Sequence, residues 1–285
     1  MVALGVFDGV HRGHINILKS AVKKAKAIKG TSVVLTFWPH PQKEQNLYSL
    51  EHRLRLIGKL GIGVSIVINF SRKFADMPAL DFVKNILFKK VQARYVYVGE
   101  NFRFGKNAQG NFKTLLALSR IYNFKVKAFA VIKVKNKPIS STYIRALIRK
   151  GKLSAAQKLL TRPVSILGTV VRGTSLATKL GFPTANINPH HEVIPPPGIY
   201  AVRVVFNDKK FNGACYIGSK PTITNETSRN IEVYIFNFNK NIYGKNLEIQ
   251  FIKKIRSQKK FDSLAKLAAQ IKKDILTVQK LFSRH

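Results

Sequence analysis

The feature that most constrains this chain is a change of period near residue 160. Before it, short apolar runs over residues 2–7, 31–37, 64–70, 95–98 and 124–132 alternate with helical spacing over 15–25, 50–60, 80–90 and 112–122. Such alternation predicts a parallel sheet covered by helices, because each parallel strand needs a crossover before the next. After it, strand signals over 165–171, 198–206, 211–217, 232–238 and 247–252 are separated by turn clusters, the pattern of a small β-barrel. A closing helix carries Leu264, Leu267, Ala268, Ile271, Ile275, Val278 and Leu281 on one stripe, which predicts core packing. At 285 residues the chain has room for two domains. A helical pattern over 153–160 and the breaker Pro163 set the boundary, placed between residues 157 and 158.

In a parallel sheet ligands gather beyond the carboxyl ends of the strands, so the loops there are the ones to read. The first, Asp-Gly-Val-His-Arg-Gly-His over residues 8–14, joins a strand end to a helix start. Unpaired N–H groups and the helix dipole favour phosphate at such a junction, and Gly9 and Gly13 let the backbone approach it. His11 and His14 suit phosphate contact, metal ligation or plain polar turn roles, and no third ligand lies nearby in sequence. Three more loops fall at strand ends: Phe-Trp-Pro-His-Pro (37–41), with the rings of Phe37 and Trp38; Gly-Glu-Asn-Phe-Arg-Phe-Gly (99–105), with Asn101; and Ile-Ser-Ser-Thr-Tyr-Ile-Arg (139–145). In the last, hydroxyls including those of Ser141 and Thr142 cap a helix beginning near Thr142 and set Arg145 one turn inside it. Together they read as the walls of one nucleotide pocket.

In the second half, Lys-Leu-Gly-Phe-Pro-Thr-Ala-Asn (179–186) makes a stiff turn. Gly181 permits the bend, Pro183 fixes its own φ, and Thr184 and Asn186 leave the turn in defined directions. Neutral oxygen and amide groups suit Mg²⁺ and the phosphate oxygens it bridges. The same residues also fit a plain turn in which Thr184 or Asn186 caps local backbone.

With 50 Lys plus Arg against 13 Asp plus Glu, the formal charge of +37 draws the chain toward polyanions. The basic residues are spread along its length and no nucleic-acid module signature is present, which favours a strongly solvated surface over a specific nucleic-acid partner. No apolar run approaches the ~20 residues needed to cross a bilayer, and no secretion signal opens the chain, so a cytoplasmic protein without a membrane partner is expected. The single cysteine, Cys215, excludes an intrachain disulfide and a Cys-rich zinc site, and its apolar surroundings predict a buried, inert thiol.

Strand, His-x-Gly-His, helix resembles the opening of the nucleotidyltransferase superfamily. Over nearly its full length the chain resembles the bifunctional riboflavin kinase/FAD synthetases of bacteria. The first half does so through Gly-Val-Phe-Asp-Gly-Val-His-Arg-Gly-His (5–14), Thr-Phe-Trp-Pro-His-Pro (36–41), Val-Gly-Glu-Asn-Phe-Arg-Phe-Gly (98–105) and Ile-Ser-Ser-Thr-Tyr-Ile-Arg (139–145). The second does so through residues 179–186, Pro-Gly-Ile-Tyr-Ala-Val (197–202), Ile-Gly-Ser-Lys-Pro-Thr (217–222), Ile-Glu-Val-Tyr (231–234), Ile-Tyr-Gly-Lys (242–245) and Lys-Lys-Phe (259–261).

The resemblance implies a Rossmann-like nucleotidyltransferase domain followed by a small Greek-key flavokinase barrel with a C-terminal helix. It implies FMN from riboflavin and ATP in the second module, FAD from FMN and ATP in the first, and Mg²⁺ at both. By the same resemblance Thr184 and Asn186 hold metal and ATP phosphate, and Glu232 is the base for the ribityl hydroxyl. His11 and His14 meet the ATP phosphates, Ser141, Thr142 and Arg145 clamp the pyrophosphate, and Asn101, Phe37 and Trp38 touch nucleotide or flavin. By pattern alone Glu232 reads first as a surface glutamate on a strand's wet face, and the resemblance reverses that; alternation sets it with Tyr234 and Phe236, opposite Ile231, Val233 and Ile235, and an aromatic face suits a flavin. Val6, Trp38 and Asn101 stand where other members often carry a polar or acidic residue, and Tyr216 where Asn is frequent. Members usually have a lead-in before the first strand, so Met1 is expected to be a late start that leaves a sheet edge less supported. A monomer or weak homo-oligomer is expected. The nearest alternative is a flavokinase with a silent first module; a basic nucleic-acid-binding protein would need neither His-x-Gly-His nor the hydroxyl cluster.

Overall fold

The computed structural model describes residues 1–41, 45–173, 176–190, 192–219 and 229–283, so Lys220, Pro221 and Thr222 of the 217–222 motif lie outside the described residues. Two compact units are present, Met1–Tyr143 and Ile144–His285.

The first unit runs β1 (Val2–Leu4), α1 (Arg12–Ala27), β2 (Val33–Trp38), α2 (Leu50–Gly58), β3 (Val64–Asn69), α3 (Arg72–Ala75), and α4 (Ala79–Asp81) continuing into a π-helical stretch Phe82–Lys90. It goes on through β4 (Tyr95–Gly99), α5 (Phe112–Ile121), β5 (Lys125–Phe129) and a small hairpin, β6 (Lys133–Val134) with β7 (Lys137–Pro138). Strands β3-β2-β1-β4-β5 form one sheet in that order, every neighbour parallel. The first strand is therefore central, not an edge, which corrects the expectation that an early Met1 leaves an edge unsupported. The strand order reverses on either side of β1, and the crevice beyond the carboxyl ends of β1 and β4 is the position such sheets use for ligands. Val2, Leu4, Leu35, Val96 and Val98 of the central strands meet Phe82, Val83, Leu87 and Leu115 of the helices in one apolar core.

Helix α1 starts because His11, in extended geometry, accepts the His14 N–H on its ring nitrogen at 3.4 Å, and its last turn carries Lys24 and Lys26 where the dipole favours cations. Its buried face is Ile17, Leu18, Ala21 and Ala25, with Ile15 and Val22 half-buried beside it. The predicted Ile15-Leu18-Val22-Ala25 stripe is thus rotated by about one residue.

Helix α6 (Ser141–Arg149), on which the division between units falls, and α7 (Leu153–Leu160) lead into the barrel strands. These are β8 (Val164–Val171), then, past a short α8 (Leu176–Lys179), β9 (Ala185–Pro189), β10 (Gly198–Phe206), β11 (Lys209–Ser219), β12 (Arg229–Ile235) and β13 (Asn246–Arg256). They close in the order β10-β11-β12-β9-β8-β13, all antiparallel. The consecutive β10, β11 and β12 are flanked by the earlier β9, a Greek-key arrangement. Ile166, Val202, Val204, Ile217, Val233, Ile249 and Phe251 fill the interior.

Residues 179–186, expected as one turn, are in fact a helix end entering a strand. Helix α8 terminates with Gly181 at φ 88°, Phe182 N–H on the Ala177 carbonyl at 2.9 Å and Gly181 N–H on that of Thr178 at 3.0 Å. That is the Schellman arrangement, which needs a left-handed residue at the position of Gly181. Helix α9 (Leu264–Ser283) closes the chain with Ile275 and Val278 buried, while Leu264, placed on the predicted stripe, is 58% exposed. Arg256 at the end of β13 fastens the helix by a forked pair to Asp274, at 2.9 Å from Nε to Oδ1 and 2.6 Å from Nη2 to Oδ2.

Candidate functional site

In the first unit the turn after β1 holds the predicted residues close together. The rings of His11 and His14 stack with centroids 3.6 Å apart, and Phe7 meets His14 edge-on at 5.2 Å. A side chain added at Gly9 would begin 3.2 Å from Ser141 Oγ and 3.6 Å from the His11 ring, and 2.7 Å from Leu47. Only glycine leaves room there, and the measurement shows Gly9, His11 and Ser141 converging on one spot. Gly13 lies against the His11 ring in the same way. Phe7 and Val10 have φ of 52° and 40°, unfavourable for side-chain-bearing residues and above all for a β-branched one. Backbone strain of this kind persists where the surrounding structure over-determines it.

Part of that restraint is visible. The buried Asp8 carboxylate accepts the Leu47 N–H at 2.9 and 3.2 Å. Arg53, fully buried in α2, donates to the Val6 carbonyl at 2.7 Å and to the Phe37 carbonyl at 3.1 Å, and Thr36 Oγ1 also donates to Val6 at 2.8 Å. Burial pushes the Arg53 guanidinium down to about 10, opposed by attraction to Asp8, so it stays charged at neutral pH. Sequence reasoning missed Arg53. Its signal was a basic residue three and four positions before Leu56 and Ile57, on the apolar face of a predicted helix.

The remaining residues named for the nucleotide pocket fall as follows, Arg145 already lying in the second unit. Ser140 caps α6 by accepting the Tyr143 N–H at 3.2 Å, so the helix begins at Ser141, with Thr142 exposed and Arg145 buried one turn on. Asn101 is exposed in the turn after β4. Trp38 is half-buried with the Arg53 guanidinium 5.7 Å from its ring centroid. Phe37 is only 5% exposed and packs edge-on to Phe70 at 6.0 Å within the core, so its ring is a core ring.

In the second unit, Asn186 on β9 and Glu232 on β12 are cross-strand partners. Thr184 Oγ1 donates to one Glu232 oxygen at 3.2 Å, and Asn230 Nδ2 to the other at 2.6 Å. A carboxylate offers about four lone-pair sites, so two remain to accept a proton from a bound hydroxyl. The strand alternates as predicted: Ile231, Val233 and Ile235 are buried, Glu232, Tyr234 and Phe236 half-buried. Tyr234 meets Phe236 edge-on at 5.6 Å and Phe182 at 6.2 Å, which continues the aromatic face. Asn230 was missed, although it lies two residues before Glu232 and so on the same face. Tyr216 pairs directly with Glu232 across β11 and β12; burial, then the Glu232 charge, raise its phenol, with Arg256 opposing. Cys215 is fully buried, and burial, then the Glu232 charge, push its thiol up, which makes it the inert thiol expected. A cleft beside this group is lined by Pro183, Thr184, Val233, Lys240 and Tyr243, among others.

Among the described residues no cluster of three or more His, Cys, Asp or Glu side chains gathers to hold a metal, and no helix is long and apolar enough to cross a membrane. The Thr184, Asn186 and Glu232 set is made of oxygen and amide groups, and the Thr184 hydroxyl donates its hydrogen bond to Glu232, so its lone pairs remain for a cation. That chemistry fits Mg²⁺ carried by ATP, which takes few protein ligands beyond the phosphates.

A strained, histidine-bearing turn at the reversal point of a parallel α/β sheet, followed in the same chain by a barrel with a hydrogen-bonded carboxylate on an aromatic face, defines a two-module nucleotide-dependent transferase. The sequence matches the FAD synthetase family over residues 1–143 and the riboflavin kinase family over residues 160–282. Relatives described as bifunctional riboflavin kinase/FMN adenylyltransferase come from Buchnera aphidicola of Schizaphis graminum, 38% identical over 99% of this chain and 94% of that one, and from Haemophilus influenzae, 36% identical over the same shares. A crystal structure named macrolide-efflux protein, from Streptococcus pneumoniae, superposes with a TM-score of 0.82 at 29% identity, over 96% of this chain and 91% of that one. The chain belongs to the bifunctional riboflavin kinase/FMN adenylyltransferase family.

Proposed function

We propose that the chain makes FMN and then FAD, each module using ATP at the residues described above, with the module boundary between residues 157 and 158. That boundary lies in the interval left between the two family matches, 1–143 and 160–282. In the kinase step the terminal ribityl hydroxyl of riboflavin attacks the γ-phosphorus of ATP. Glu232 takes the hydroxyl proton, the β–γ bridge breaks, and ADP leaves with FMN as product. Thr184 and Asn230 keep the carboxylate aimed, and Tyr234 and Phe236 offer the flavin an apolar face. Thr184 and Asn186 would hold Mg²⁺, whose charge neutralises the phosphates.

In the second step a phosphate oxygen of FMN attacks the α-phosphorus of ATP, a new P–O–P bridge forms, and pyrophosphate departs. No covalent enzyme intermediate is needed, so catalysis is alignment plus stabilisation of charge. His11 and His14, with the N–H groups that open α1, face the ATP phosphates. Ser141 and Thr142, with Arg145 one turn on, take the pyrophosphate. Asn101 and Trp38 border the nucleotide. The reaction belongs in the cytoplasm, and the surface charge serves no specific nucleic acid.

The observation that carries this reading is that each unit holds its own polar constellation, His11, His14 and Ser141 about Gly9 in one and Thr184, Asn186 and Glu232 in the other. The test is chromatography of flavins formed from riboflavin, ATP and Mg²⁺ over time. FMN followed by FAD is expected; FMN alone would leave a flavokinase with a silent first module.

A further inference from the structure

The geometry points to Arg53 as a positioning residue for adenylyl transfer, a guanidinium strut that fixes the phosphate turn from behind and touches neither ATP nor flavin. The inference rests on the FAD-forming reading of the first module. Its grounds are four. Arg53 is completely buried, and such a group is retained only when paired and hydrogen-bonded. One planar fork reaches two carbonyls that no ladder joins at that point: Val6, in the turn after β1, at 2.7 Å, and Phe37, at the end of β2, at 3.1 Å. Its charge is drawn to Asp8, whose carboxylate holds the Leu47 N–H, so the turn is gripped on both sides of Phe7. The gripped segment is the strained one, Phe7 at φ 52° and Val10 at φ 40°, and it delivers His11 directly.

Without the strut, Val6 keeps the Thr36 hydroxyl of β2 at 2.8 Å but loses its tie to α2 and, through the same fork, its bridge to the Phe37 carbonyl. The turn then relaxes toward ordinary φ values and carries His11 and His14 off the α-phosphate. Displacement of about 1 Å at a reacting centre costs on the order of 10²-fold.

The test uses the full chain with Arg53→Met and Arg53→Lys, measuring FAD formation from FMN and ATP beside FMN formation from riboflavin and ATP on one preparation. Trp38, the single tryptophan, lies next to the guanidinium, so its fluorescence reports whether this module is folded. For Arg53→Met we expect FAD formation to fall tenfold or more, with FMN formation unchanged and a cooperative Trp38 unfolding transition above the assay temperature. Arg53→Lys, which keeps the charge and one donor for Val6, should recover most of the loss. Where Arg53→Met does not fold, Arg53→Gln carries the same comparison. A folded Met or Gln variant within twofold of wild type overturns the role, as does a Lys variant no better than Met. Wild-type chain that makes no FAD from FMN overturns the reading beneath it, and this inference with it.

Discussion

Asn186 on β9 faces Glu232 on β12 as its cross-strand partner, while Thr184, two residues before Asn186, donates its hydroxyl to the Glu232 carboxylate at 3.2 Å. The carboxylate is thus oriented by the same segment that would carry Mg²⁺ and ATP. Thr184→Val keeps the volume and removes the donor. FMN formation should fall by about 10²-fold, the usual cost of losing one aligned donor, with FAD formation from supplied FMN unchanged. Steady-state rates of both reactions check this, and a Thr184→Val kinase rate near wild type would contradict it.

Asp274 is 5% exposed and accepts from Arg256 and from Gln270 Nε2 at 2.9 Å. Removing one partner of such a pair leaves the other charge buried, at a cost of about 3 kcal/mol. Asp274→Ala should therefore lower the temperature at which kinase activity is lost, by several degrees. An unchanged midpoint would mean that the pair adds little to the barrel.

Tyr200 donates to the Pro196 carbonyl at 2.5 Å, and burial, then Cys215, push its phenol up to about 12 against an opposing effect of Arg229. A folded-state value above the unfolded value of about 10 means that the folded chain holds its proton where the unfolded chain releases it. The stability Tyr200 provides is complete below pH ~10 and is lost as pH rises through ~12. Tyr200→Phe should cost about 1 kcal/mol at pH 8 and show a shallower alkaline decline in urea midpoint. Parallel declines for both proteins would contradict the assignment.

The two folds were legible because their periods differ, and the face of Glu232 was legible because strict alternation runs through residues 230–236, whereas its role came from the family resemblance alone. Asn186 was placed by residue type but not by element. Strand β9 is five residues long, Ala-Asn-Ile-Asn-Pro, and exists because β8 and β12 receive it from elsewhere in the chain. Helix α8, four residues closed by Gly181, is too short for a period to appear. Phe37 and Trp38 could not be told apart, since four consecutive residues of β2 are buried on both faces, and only the packing of Phe70 and Phe74 shows which ring the core takes. Arg53 is the same lesson in reverse: a charged residue on the apolar face of α2 is buried because the carbonyls of Val6 and Phe37 accept its donors and Asp8 attracts its charge.

The surplus of positive charge should give polyanion binding that is loose and indifferent to sequence. Counterion release makes such binding fall steeply as salt rises. Titration with nucleic acid at two salt concentrations checks it, and a sequence-selective complex that survives ~0.2 M salt would give the surface a function of its own.

Two active sites on one chain, each complete within its own module, should fail separately when FMN formation from riboflavin and FAD formation from FMN are measured in His14→Ala and Glu232→Gln. His14→Ala should lose FAD formation by about 10²- to 10³-fold and keep FMN formation. Glu232→Gln, which keeps shape without basicity, should lose FMN formation by about 10²- to 10⁴-fold and keep FAD formation from supplied FMN. Either substitution abolishing both reactions in folded protein would mean that the two reactions share one site.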